Sequence, residues 1–168
     1  MTVVTTNGLI DEVLARYEVP GNYRNHVYRG LNYQLKLLGL EEVPNDIALA
    51  WALHDIGLFT AGWDYLGPSV RLVDQLAGDY GIDDVARVRQ MVELHHKLRP
   101  CRDTWVESFR VADRIDVSGG LLSGGLARSA IKDVVAAHPY AGFHGFLART
   151  AARWAVRHPL RPMPMMRW

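Results

Sequence analysis

Pro44-Asn45-Asp46-Ile47-Ala48-Leu49-Ala50-Trp51-Ala52-Leu53-His54-Asp55-Ile56-Gly57-Leu58-Phe59 reads as an apolar helix that runs into two potential metal ligands. Pro44 followed by Asn45-Asp46 is a helix-opening signal, and Gly57 marks the stop. A helix presents positions i, i+3, i+4 and i+7 on one face, so Ile47, Trp51 and His54 share a stripe. His54 therefore points where the core residues point. Imidazole nitrogen and carboxylate oxygen are the usual donors to Zn, Mn, Fe or Ni. Adjacent side chains such as His54 and Asp55 rarely converge unless something gathers them, and a metal ion does so.

Two other segments repeat the pattern. His26, Gly30, Tyr33 and Leu37 form one stripe, with the glycine permitting close approach of a neighbouring helix. Val106, Phe109, Asp113 and Val117 form another. Each stripe carries one polar side chain on an apolar face, where burial is costly unless the group is paired or bound to a cation. A buried His–Asp hydrogen-bond network without metal explains any one of these residues. The set, in the order His, His-Asp, Asp, is better explained by a metal.

The words NHVYRG (25–30), ALAWALHDIGLF (48–59) and FRVADRIDVS (109–118) together resemble the HD superfamily of metal-dependent phosphohydrolases, over roughly residues 22–118. That resemblance implies a helical fold and one divalent ion (Zn, Mn, Fe, Ni or Co) held by residues matching His26, His54, Asp55 and Asp113. It further implies hydrolysis of a small phosphate ester or nucleotide by metal-activated water. Asp55 or Asp113 would orient or deprotonate that water. Arg29, or an imidazole of His95 or His96, would stabilise charge or protonate the leaving group. NHVYRG followed by ALHDIG is also similar to the cyanamide hydratase branch, where the same kind of centre adds water to a small nitrile. Pocket character separates the two: a phosphate needs convergent cations, a nitrile a tight and mostly apolar pocket. A third reading, a non-catalytic metal or nucleotide sensor, predicts binding without turnover.

The remaining candidates fall around this set. His95 and His96 end a helix carrying Val85, Val88 and Val92, and either can face the metal as a substrate-facing or weakly ligating group. No histidine lies from Ile56 to Leu94, which argues for one metal and against a pair. Arg29 is i+3 from His26, suited either to clamp a phosphate bidentately or to pair with an acid such as Asp55 or Asp113. Asp116, i+3 from Asp113, reads as a solvated acid, with metal support as its other reading. Trp63, Asp64 and Tyr65 follow the His-Asp helix as an aromatic lid. The Ser118-Gly119-Gly120 and Ser123-Gly124-Gly125 runs lack the strand and the Gly-Lys-Ser/Thr ending of a phosphate loop and read as a connector. His138, His144 and His158 have no carboxylate company and are not expected to be ligands.

The whole chain fits this frame. At 168 residues, 49% apolar and 22% charged, it suits one soluble all-α domain, a helical bundle over residues 1–158, with a tail at 159–168. Expected helices run over about 7–17, 22–38, 45–57, 69–77, 83–96, 103–117, 126–137 and 140–157. Cys101 is alone, excluding an internal disulfide and cysteine-based zinc sites. No apolar run approaches the roughly 18 residues of a membrane helix, and the first residues lack a basic signal region; cytoplasm is the expected location, with no membrane partner. Arg149, Arg153 and Arg157 make a basic stripe with no acid after Asp133, but without interleaved aromatics or a reading module nucleic acid is not an expected partner. The tail, with three prolines and three methionines, is expected to lie extended on the body or to be partly disordered. Its Met-Trp end is a candidate contact in a homo-oligomer.

Overall fold

The structure is a computed structural model and describes residues 2–165. Among these, nine helices and no strands form one all-α body: α1 (Gly8–Arg16), α2 (Gly21–Leu38), α3 (Asn45–Leu53), α4 (Gly57–Thr60), α5 (Leu66–Leu76), α6 (Val85–Leu94), α7 (Thr104–Val117), α8 (Arg128–Ala137) and α9 (Phe143–Arg157). None is long and apolar enough to cross a membrane.

The helix ends follow from local chemistry. Asn7 accepts from the Ile10 amide, Asp84 from Arg87, and Asp103 from both Trp105 and Val106, each satisfying amides left open in a first turn. Prolines 20 and 44 sit just before α2 and α3, in extended backbone. The helix expected at 69 already begins at Leu66, because Pro68 falls in its first turn, where no amide is needed. One further difference is the break after Leu53. His54 caps α3, Asp55 and Ile56 turn, and the four-residue α4 follows.

Helix α3 is the axis of the molecule: from Asp46 to Leu53 every residue is buried. It packs against α1, α2, α5 and α6, while α2 lies along α7. Gly30 makes the α2–α3 approach feasible, since a Cβ there would overlap the Trp51 indole. Trp51 stacks on Phe109 with ring centroids 4.1 Å apart and donates Nε1–H to Gln34 Oε1 at 2.7 Å. Gln34 then donates to the Trp105 carbonyl, so this core amide is satisfied from both ends. Val117, by contrast, is 45% exposed: the α7 stripe runs past the core at its last turn.

The tail residues 159–165 form no helix, and 159–163 are exposed. Met165 is buried against Trp63 and Tyr65 in a small second apolar cluster. Met166 and Trp168, on which the expected oligomer contact rested, lie outside the described residues.

Candidate metal centre

Helices α2, α3 and α7 bring His26, His54, Asp55 and Asp113 to one point, although up to 87 positions separate them in the chain. All four are buried. His26 Nε2 and His54 Nε2 face each other at 3.0 Å. Asp55 Oδ2 lies 3.8 Å from the first and 3.5 Å from the second. Asp113 Oδ1 lies 3.7 and 4.0 Å from them.

The other nitrogen of each ring decides what these atoms are. His26 Nδ1 is 2.7 Å from Asp116 Oδ2 and donates its proton there. His54 Nδ1 donates to the Trp51 carbonyl at 2.9 Å. With both rings neutral this network leaves a lone pair on each Nε2, and two lone pairs at 3.0 Å repel. Anchoring of the distal ring N–H by a carboxylate or carbonyl is the usual support of a metal-binding histidine. Metal–ligand bonds of about 2.1 Å place neighbouring donors about 3.0–3.4 Å apart, so the shorter of these separations already suit one ion and the longer ones lie slightly outside. Asp113 Oδ1 has no hydrogen-bond partner, an orphaned buried oxygen of the kind a cation satisfies.

Ring orientation is fixed by packing. Phe143 of α9 stacks on His26 at 4.3 Å between centroids, and Phe109 meets His54 edge-on at 5.7 Å.

The electrostatics of these side chains are set by burial and by one another. Burial, partly countered by Asp55, pushes His54 down to about 3, so its imidazole stays neutral. Burial lifts Asp113 to about 6 against the opposing pull of His95 and His26. Asp55 is held well below the usual carboxylate range, because His54 and His95 outweigh the effect of its burial.

A second group shares Asp55. Donor atoms of Asp55, His95 and His96 lie within 4.8 Å of one another, as do those of His26, His54 and Asp55. His95 Nδ1 donates to the Val92 carbonyl at 2.7 Å, leaving Nε2 3.2 Å from Asp55 Oδ1 with neither atom in a formed hydrogen bond. His96 Nε2 meets the Tyr65 hydroxyl at 2.5 Å. Both histidines thus reach the site, where one was expected. Asp55 has one oxygen toward each group.

Arg29 is placed elsewhere. It is fully buried, donates Nε–H to Asp116 Oδ1 at 2.5 Å and an NH2 proton to Oδ2 at 2.9 Å, and spends its remaining nitrogen on the His138 and Pro139 carbonyls. It pairs with Asp116 rather than with Asp55 or Asp113, and has no group free for a phosphate. Asp116, expected in solvent, is instead buried between His26 and Arg29. The hydrogen bonds from both hold its carboxyl low despite burial. His138, His144 and His158 each bond a backbone carbonyl, outside the site.

A cavity of about 450 Å³ opens onto His95, His96 and Asp113, walled by Leu98, Val117, Leu122, Ser118 and a single guanidinium, Arg114. No protein-family model matches the chain, and no curated protein or solved structure matches it.

Proposed function

We propose that the protein is a metal-dependent hydrolase acting on a small phosphate ester or nucleotide, in the manner of the HD phosphohydrolases that its sequence resembles. The observation that carries the reading is the pair of opposed Nε2 lone pairs of His26 and His54, each ring anchored through its Nδ1–H and flanked by the buried oxygens of Asp55 and Asp113.

His26, His54, Asp55 and Asp113 would hold a divalent ion, which would lower the pKa of bound water from about 15.7 toward about 7 and polarise the substrate oxygen. The chain's own residues supply the rest. Asp116 and the Trp51 carbonyl keep the two imidazoles in the ligating tautomer. Asp113 Oδ1 would help to hold the ion, and the free oxygen of Asp113 or of Asp55 would orient the attacking water or take its proton. His95, at the cavity wall with Nε2 3.2 Å from Asp55 Oδ1 and its pKa raised by that carboxylate against the effect of burial, would donate the proton to a leaving group. Arg29 takes no part beyond holding Asp116.

One observation favours a second reading, addition of water to a small nitrile: among the described residues Arg114 is the only lysine or arginine lining the cavity, and three of the cavity's wall residues are Leu or Val. Metal analysis of the purified protein and of His54→Ala and Asp55→Ala variants, with assays on phosphomonoesters, phosphodiesters, nucleotides and cyanamide, tests both. About one or more metal per chain, lost in the variants together with turnover, supports a metal enzyme, and the active substrate selects the chemistry. A protein that takes up no metal even on reconstitution carries a buried polar network instead, and the proposal fails.

A further inference from the structure

Large apolar side chains exposed to water cluster at the mouth of this cavity. Leu98 is 44%, Val117 45%, Leu121 79% and Leu122 59% exposed, and three of them line the same cavity as His95, His96 and Asp113. Single exposed leucines are unremarkable, but a contiguous set rimming a polar floor marks a binding surface. The rim is also ordered. Ser118 Oγ donates to the Ile115 carbonyl and accepts from the Leu122 amide, while the Gly119 and Gly120 amides bond the Asp116 and Ile115 carbonyls. Those amides are all used, so the turn holds no anion; what it presents is Leu121 and Leu122. Across the opening, Arg114 donates to the carbonyls of Lys97 and Leu98 and so holds Leu98 in place.

We propose that the cavity takes a substrate whose reacting head is joined to an aliphatic substituent of several carbons. The head lies on the His95–Asp113 floor and the chain runs along Leu98, Val117 and Leu122. This rests on the reading of that floor as the reacting centre. A nucleobase suits the rim less well, because among the described residues the imidazoles of His95 and His96 are the only rings in the wall and both sit at the floor.

The test is calorimetric titration of the metal-reconstituted protein with two probe series of increasing chain length: methyl-, butyl- and octylphosphonate, whose P–C bond resists hydrolysis, and acetonitrile, pentanenitrile and nonanenitrile. Affinity is expected to rise at least about tenfold from the one-carbon to the four-carbon chain in one of the series. Leu98→Ser with Leu122→Ser is expected to flatten that rise, with the metal content unchanged. Affinity independent of chain length in both series overturns the proposal, as does a rise that the double variant leaves intact. Sedimentation of the same samples covers the competing occupant: a dimer dispersed by the double variant, with no chain-length effect, makes the rim a contact between copies and also overturns it. The metal content, measured separately, reports on the hydrolase reading itself.

Discussion

His26 and Asp116, 90 positions apart, are linked behind the candidate centre, Nδ1 to Oδ2 at 2.7 Å, and Asp116 is in turn gripped through both its oxygens by one edge of the Arg29 guanidinium. The chain Arg29–Asp116–His26 runs from the back of the core to the ligating nitrogen. Its positive end is walled off by Tyr140 and Phe143, whose rings lie 4.4 and 5.7 Å from the guanidinium carbon. One buried acid therefore neutralises a buried cation and sets the tautomer of a histidine.

Removing that acid is expected to do two things at once. Asp116→Ala leaves Arg29 charged and unpaired in the core, a change that typically costs about 3–5 kcal/mol. It also frees the His26 ring, weakening metal binding by roughly 10–100-fold. Thermal denaturation and metal titration should both respond. Arg29→Gln should lower the melting temperature as well; a loss of phosphate affinity with stability unchanged would instead return Arg29 to the role of a clamp.

Metal binding should depend on pH through Asp113. Its carboxyl, raised by burial to about 6, must lose its proton to ligate. Apparent affinity is thus expected to fall about tenfold per pH unit below about 6, with that slope abolished in Asp113→Asn. His54, depressed to about 3, adds no proton in this range. The stability effects have opposite signs. A raised Asp113 stabilises the metal-free fold below its ordinary 3.8 and loses that contribution as pH rises through about 6. The depressed His54 stabilises above its ordinary 6.5 and loses that contribution as pH falls toward about 3. Chelating the metal should therefore lower the melting temperature more at pH 7.5 than at pH 5.

Three of the four residues, His26, His54 and Asp113, were legible because each lies on or caps a helix whose apolar period fixes its direction, and Asp55 was legible as the neighbour of His54. His26, His54 and Asp113 converge because three amphipathic stripes share one core. Asp116 was not legible by the same logic: it follows Asp113 by three positions on an exposed-looking, charged word, and only the position of α2 against α7 shows that Arg29 and His26 meet it. The same tertiary packing turned Arg29 inward. Tyr65 could be read only as part of an aromatic loop, since its hydrogen bond to His96 depends on how that loop folds back. Periodicity located the helices within a few residues, but the stop read at Gly57 comes already at Leu53, and the short α4 that starts at Gly57 was not expected.

Gly30→Ala should probe the closest helix–helix approach. A methyl group there overlaps the Trp51 ring, so α2 and α3 must separate or Trp51 must leave its rotamer, at a cost of about 1–3 kcal/mol. Urea denaturation should show that loss, and Trp51→Phe in the Gly30→Ala background should cost less than in the wild type, because the smaller ring makes room. Strictly additive effects would show that the two residues do not meet.

The tail is expected to act on the site through the loop beneath it. Met165 is 2% exposed against Trp63 and Tyr65, the Arg161 carbonyl accepts from Trp154 Nε1 at 2.9 Å, and Arg161 approaches Asp64 at 3.5 Å. That ion pair is largely in water and contributes little, so the methionine is the stronger part of the contact. Loosening it should free the loop before it unfolds the core, because the Trp63–Tyr65–Met165 cluster is separate from the main one. Met165→Ala should therefore speed hydrogen exchange at residues 61–65 with little effect on α2 and α3. It should also change the nitrogen resonances of His96, whose Nε2 would lose the Tyr65 hydroxyl; Tyr65→Phe should reproduce the His96 change without the faster exchange. Exchange at 61–65 as slow as in the wild type would mean that α5 and the His96 contact hold the loop by themselves, and that the tail merely lies over it.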